Sequence, residues 1–138
     1  MTGVQTCALL LVVKALLENS AGVGALVAGR LYSLHRPEAD VLPAIVWVEV
    51  SDVPRPPIDS TPGSEPCIGR VQINCLGRSS AEVKQLKDAV VSACHKQSGT
   101  IAGITVQAVL EDVAGPRTYD PLVDTYQQSV DVIVYYIR

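Results

Sequence analysis

The sequence lacks phenylalanine and holds a single tryptophan, so aromatic residues make up only 4% of its 138 residues. A folded core must therefore be filled mainly by aliphatic side chains. Hydrophobic residues reach 48% of the chain, which is typical of a globular protein and argues against intrinsic disorder. The many valines and isoleucines favour β-structure. At this length we expect one domain with one core.

Residues that bind metals are also scarce. The chain has two histidines, His35 and His95, and its four cysteines form no CxxC unit. Because structural zinc sites need clustered cysteine and histidine ligands, we expect no metal site. The cysteines are predicted to be unpaired, mostly buried thiols of a reducing compartment. They are Cys7, Cys67, Cys75 and Cys94.

The chain has no excess of positive charge, since its net charge is -3 and its pI is about 5.2. It also lacks a basic patch interleaved with aromatic residues, so no nucleic-acid-specific site is expected. The apolar stretch 8–17 is too short to span a bilayer and is interrupted by Lys14. No glycine-rich phosphate loop is present. We therefore expect no membrane segment and no cofactor.

Residue pairs that could perform catalysis are not evident. A nucleophilic serine or cysteine needs an oriented base. His35 lies in a proline-bounded loop, and His95 lies at the predicted C-terminal end of a helix, where its interaction with the helix dipole is favourable. Asp131 stands inside an apolar strand. A buried carboxylate must be paired, so we expect Asp131 to bind Arg70 or a neighbouring subunit rather than to act in catalysis. The protein is predicted not to be an enzyme.

The first nine residues resemble the translation of a common sequencing-library adapter read from a GTG start codon. We therefore expect residues 1–9 to be a non-native leader joined to a truncated gene. Residues 10–138 are expected to form a single domain, because no repeat and no linker interrupts them.

Helical periodicity predicts two main helices. Apolar residues recur at helical spacing from Leu9 to Asn19 and again after Ser79. Ser79 or Ser80 can cap the second of these helices, and Glu82 stands where a capping box requires it. Residues 21–29 are predicted to form a further short helix or a turn.

Alternation of apolar and polar residues predicts four strands, at 42–51, 69–75, 101–112 and 125–137. The order helix, strand, strand, helix, strand, strand predicts an α+β domain. We expect a four-stranded, mainly antiparallel sheet with both main helices packed on one face. Residues 53–66 are predicted to be a long loop between the first two strands, because their many prolines cannot supply the donors of a sheet.

The opposite face of this sheet is predicted to be apolar as well. A monomer rarely leaves such a face in water, so we expect a partner protein or a second copy of the chain to cover it. The alternative is that these residues are ordinary, scattered surface hydrophobes. The residues expected on this face are Ile45, Trp47, Val109, Asp131, Ile133, Tyr135 and Ile137.

Several stretches, taken together, resemble the tail completion (tail terminator) family of long-tailed bacteriophages and prophages. The similarity runs from about residue 10 to the C-terminus, in order and with family-like spacing. The shared motifs are structural rather than catalytic. They are LVAGRLY at 26–32, LPAIV at 42–46, RVQINC at 70–75, the helix after Ser79, YD at 119–120 and SVDV at 129–132.

The resemblance implies a small virion protein that forms a hexameric ring at the head-proximal end of the tail tube, after assembly in the host cytoplasm. Such a ring would stop tube growth and dock the head connector, so its implied partners are further copies of itself, the tail tube protein and connector proteins. The loop at 53–66 would then contact the tube or the connector through Arg55, Ile58 and Asp59. The predicted subunit interface comprises Ile45, Trp47, Val109, Asp131, Ile133 and Tyr135.

Two other functions are left open by the sequence. A neck, head-closure or minor tail component could share this fold. A host domain that binds a small ligand is also consistent with the α+β pattern, and it would show a concave pocket with converging polar groups.

Overall fold

The computed structural model describes residues 8–27, 31–33, 42–54, 66–122 and 124–137. Within these residues the chain forms three helices and seven strands. The helices are α1 (Ala8–Glu18), α2 (Ala21–Val27) and α3 (Ser80–Cys94). The strands are β1 (Leu31–Ser33), β2 (Ala44–Pro54), β3 (Pro66–Gly77), β4 (Gln97–Ile101), β5 (Ile104–Ala114), β6 (Thr118–Asp120) and β7 (Thr125–Ile137).

The seven described strands form one mixed sheet in the order β1-β2-β3-β7-β5-β4, and β6 also pairs with β7. β1 runs parallel to β2, whereas the other pairs are antiparallel. The prediction of a four-stranded sheet with two helices is therefore wrong. The additional strands β1, β4 and β6 have only three to five residues each, which is too short to show a clear alternation of apolar and polar residues.

The third helix, α2, is the seven-residue segment that the sequence left open as a helix or a turn. It follows α1 directly, and the Ser20 hydroxyl accepts a hydrogen bond from the Val23 amide at 3.2 Å. Ser79 caps α3 in the same way, since its hydroxyl accepts from the Glu82 amide at 3.1 Å. The Glu82 carboxylate accepts in turn from the Arg78 amide at 2.7 Å, so the start of α3 is fixed from both sides.

The three helices contact one another and form a single layer on one face of the sheet. The core lies between this layer and the sheet. Its helix side is exemplified by Val12, Leu86 and Val90, and its sheet side by Val71 and Val132, all of them fully buried. Within the described residues, no single helix is long and apolar enough to cross a bilayer; α1 and α2 reach that length together only as a pair bent by 81°.

The contact between α1 and β3 depends on a glycine. Leu9 is fully buried against Gly69, and a Cβ atom at Gly69 would lie 2.5 Å from Leu9 Cδ2. Residues 1–7 of the predicted leader lie outside the described residues. Ala8 and Leu9, which the prediction also assigned to the leader, belong to α1. The N-terminal helix therefore reaches the core through Leu9.

Candidate interaction surface

The register of the sheet determines which side chains share a face, because directly paired residues of antiparallel strands point to the same side. Val130, Val132, Val134 and Tyr136 of β7 are fully buried under the helices. The alternate residues of β7 point to the opposite side, where Asp131, Ile133 and Tyr135 are half-buried. The described helices therefore cover one face of the sheet and leave the other without a helix layer.

We call this second face the outer sheet face and define it by three side chains from each of three adjacent strands. The apolar members are joined across strands, since Ile133 pairs with Leu110 and Tyr135 pairs with both Ile68 and Ala108. The nine residues are Ile68, Arg70 and Gln72 of β3, Asp131, Ile133 and Tyr135 of β7, and Ala108, Leu110 and Asp112 of β5.

A charged cluster lies on the outer sheet face next to Ile133, towards the end that contains Gln72. Arg70 Nη1 donates to Asp112 Oδ2, and it also donates to Asp131 Oδ2 at 3.3 Å. The three side chains are 33%, 32% and 26% exposed, respectively. One guanidinium thus serves two carboxylates, so the cluster carries a net charge of about −1. The expected pairing of Asp131 with Arg70 is confirmed, with Asp112 as an additional partner that the sequence did not indicate.

The electrostatics of the cluster keep Arg70 charged. The hydrogen bond to Asp112 raises the pKa of Arg70, and Asp131 acts in the same direction, whereas partial burial opposes both. Within the described residues, the guanidinium and the two carboxylates keep further donor and acceptor capacity at the surface. The cluster is therefore suited to recognition of a polar or charged group on a covering surface.

Three residues predicted for this face lie on the other side of the sheet. Ile45, Trp47 and Val109 belong to the core, with exposures of 0%, 5% and 0%. The prediction that they lie on the exposed face is therefore wrong.

The physical reason differs between the two strands. In β2 both alternating sets are apolar, so alternation alone did not decide which set faces inward; pairing of Ile45 with Cys75 and of Trp47 with Ile73 places them under the helices. In β5 a register shift between Val106 and Ala108 inverts the alternation, which turns Val109 inward.

Among the described residues, Trp47 Nε1 is buried without a hydrogen-bond partner.

The remaining predicted interface residues, Asp131, Ile133 and Tyr135, do lie on the outer sheet face, together with half-buried Ile137 at the end of β7. Their role between subunits stays a prediction. Arg55, Ile58 and Asp59 of the predicted contact loop lie outside the described residues, although β2 and β3 extend to Pro54 and Pro66 on either side of that segment.

The described histidine and cysteine side chains are buried or hydrogen-bonded within the fold. His95 Nδ1 accepts a hydrogen bond from the Glu111 amide at 3.0 Å, which links the end of α3 to β5. His35 lies outside the described residues. Cys67, Cys75 and Cys94 are buried. Burial raises the pKa of Cys75 and Cys94 to about 12, so these two thiols are poor nucleophiles.

A pocket in the described part of the chain is lined by residues without acid–base chemistry. It has a volume of about 490 Å³ and lies between the ends of α1 and α3 and strand β4. Its described lining has no titratable side chain; the polar members are Asn19, Ser20, Ser92, Gln97, Ser98 and Thr100. Among the described residues, no group of histidine, cysteine and carboxylate side chains is arranged to hold a metal ion.

Comparison with known proteins identifies both a family and a fold. A family model described as Tail completion protein gp17 matches residues 12–137. A chain in the solved structure of the virion of a native gene transfer agent (GTA) particle is similar in fold, with a TM-score of 0.69 and 13% sequence identity over 92% of each chain. No curated protein matches this chain.

Proposed function

Because this chain belongs to the Tail completion protein gp17 family, we propose that it caps the tail tube of a phage-like particle as a ring and joins the tail to the head connector. Membership of this family makes the protein a structural component of the virion tail. The same family membership implies that it acts by assembly and not by catalysis.

The observation that carries the proposal is the outer sheet face. An apolar surface beside a partly exposed ion cluster gains stability when another protein surface covers it, since burial of apolar area is worth about 25 cal/mol per Å². In a ring, this face of each subunit would lie against the next subunit. We therefore assign the ring contact to Asp131, Ile133 and Tyr135, and withdraw Ile45, Trp47 and Val109, which are already buried within the subunit.

A closed ring explains how tube growth would stop. Head-to-tail contacts continue without limit unless a rotation closes them or a subunit presents one competent surface and one that accepts no further tube protein. A ring with one end complementary to the tube and the other to the connector satisfies both conditions. The segment between β2 and β3, with Arg55, Ile58 and Asp59, is proposed to contact the tube or the connector.

The ring contact is tested by sedimentation velocity of purified full-length variants. Ile133→Asp and Tyr135→Asp place a charge on the outer sheet face without entering the core, so both should yield folded monomers under conditions in which the wild type forms a ring. Leu122→Asp is the matched control, because Leu122 is 93% exposed in the β6–β7 turn and lies off this face. A ring that survives both outer-face variants would refute the assignment.

The joining role is tested in particle assembly. Deletion of residues 58–64 should leave the ring intact, since this segment lies outside the proposed subunit contact, and should abolish attachment of tails to heads. Electron microscopy of the products would then show separate heads and tails. Intact particles from this deletion variant would contradict the role of the segment.

A further inference from the structure

A head-to-tail ring requires two different surfaces on every subunit, and the outer sheet face supplies only one of them. The second surface must lie elsewhere on the same chain. Because the helices form one layer on the opposite side of the sheet, the back of that layer faces away from the outer sheet face. A contact between the back of one helix layer and the next outer sheet face would therefore run head to tail.

The chemistry of the outer sheet face defines its complement. The cluster of Arg70, Asp112 and Asp131 has one more negative than positive charge, and Ile133 and Leu110 beside it are apolar. The complement must thus present a cation next to an apolar side chain. A surface that places another carboxylate directly against the two aspartates would be repelled.

Only one position on the described helices meets both requirements. Leu11 of α1 is the sole large hydrophobic residue of these helices that is exposed. Lys14, one turn further along α1, is exposed and makes no ion pair with the described residues. In contrast, Lys84 and Lys87 of α3 already pair with acidic side chains.

The most exposed large hydrophobic residue among the described residues, Leu122, has neighbours of the wrong charge. Leu122 projects from the β6–β7 turn, where Asp120 accepts from the Leu122 amide at 3.0 Å and Asp124 accepts from the Tyr119 hydroxyl at 2.8 Å. Two carboxylates flank this leucine, so the turn would add negative charge to a surface that is already acidic. It is therefore a poor complement for the outer sheet face.

We propose that α1 of one copy packs on the outer sheet face of the next copy, with Lys14 bound to Asp131 and Leu11 seated between Ile133 and Leu110. The spacing agrees, because residues three apart on a helix lie about 5–6 Å apart and residues two apart on a strand lie about 6.5–7 Å apart. Each sheet in the assembly is then covered by helices on both faces, its own on one side and those of a neighbour on the other.

This inference rests on the proposed ring and names its second surface. The test exchanges the charges of Lys14 and Asp131 and measures self-association by sedimentation equilibrium. Lys14→Glu and Asp131→Lys should each weaken self-association of the full-length chain at least about tenfold, since like charges then meet across the contact. The double variant with both changes restores an opposite-charge pair and should recover most of the wild-type association.

Lys96→Glu is the matched control, because Lys96 is an exposed lysine outside the helices and the same change in net charge should leave association unaltered. Circular dichroism shows whether each variant folds. If Asp131→Lys does not fold, a disulfide cross-link provides the test, in a Cys7→Ser background. Leu11→Cys and Leu110→Cys in one such chain should form covalent oligomers beyond dimers on oxidation, whereas each single cysteine variant in the same background should not.

The outcomes separate this inference from the function on which it rests. Loss of the ring in Ile133→Asp together with wild-type association of Lys14→Glu overturns the α1 contact and leaves the outer-face ring standing. A double variant that stays dissociated, or oxidation products no larger than dimers, also overturns it. A wild-type chain that is monomeric at every concentration overturns the proposed ring itself.

Discussion

The packing of α1 on the sheet depends on one close contact, and its removal gives a sharp test of the fold. Gly69→Ala would place a methyl group 2.5 Å from Leu9 Cδ2 and 2.6 Å from Leu9 Cδ1, well inside van der Waals contact. Overpacking of this kind costs about 1–3 kcal/mol of unfolding free energy. Leu9→Ala should cost about 2–5 kcal/mol, because Leu9 is fully buried and its truncation leaves a cavity.

The double variant is the informative one. In Leu9→Ala/Gly69→Ala the new methyl group enters the space that the leucine has vacated, so the two costs should not add. We expect the double variant to be at least about 1 kcal/mol more stable than the sum of the single changes predicts. Urea unfolding followed by circular dichroism measures all four free energies.

A matched control is available in α2. A Cβ atom at Gly24 would meet nothing within 4 Å, so Gly24→Ala should stabilise the protein by about 0.5–1 kcal/mol through helix propensity alone. The reasoning fails if Gly69→Ala is as stable as the wild type, or if the effects of Leu9→Ala and Gly69→Ala add within about 0.5 kcal/mol.

Four further outcomes are expected. Ser79→Ala should lower the free energy of unfolding by about 1 kcal/mol in thermal unfolding, because it removes the cap of α3. Ala102→Gly should raise the free energy of unfolding by roughly 0.5–1 kcal/mol, because Ala102 has φ +53°, which glycine adopts more readily than alanine. Trp47, the single tryptophan, should show blue-shifted emission and slow acrylamide quenching even in dilute protein, since it is 5% exposed; red-shifted emission would contradict its core position. Burial raises the pKa of Cys75 and Cys94 from 9.0 to about 12, so the stability that these neutral thiols contribute should be complete below pH 9.0 and be lost between pH 9.0 and 12. A flat pH profile in that range would contradict this.

Much of the long secondary structure could be predicted from the sequence. β7 was predicted at the residues where it occurs, and β3 and α3 were located to within a few residues, because their periodic patterns extend over many residues. The capping role of Ser79 was also indicated by sequence, since a serine three residues before a glutamate favours a helix start.

The predictions from sequence were wrong where the alternation of apolar and polar residues is ambiguous or the strand is short. Both faces of β2 are apolar, so only its pairing with β3 decides that Trp47 faces the core. The position of Val109 depends on a register shift in β5, which leaves no clear mark in the alternation of residue types. The three-residue strands β1 and β6 are defined by their partners rather than by their own sequence.

The candidate surface was predictable in part. Asp131 was recognised because an acidic residue within an apolar strand needs a partner, and Arg70 was named as one candidate. Asp112 was not recognised, because it lies near the end of β5 and contributes only through its proximity to Arg70 in the folded sheet.

The most direct test of the central claim is a cryo-electron microscopy reconstruction of particles assembled with this protein. We expect a ring of copies between the tail tube and the head connector, with Ile133 and Tyr135 of each copy covered by the neighbouring copy. Density for the protein at another position in the particle, or a ring in which these two side chains face solvent, would contradict the account.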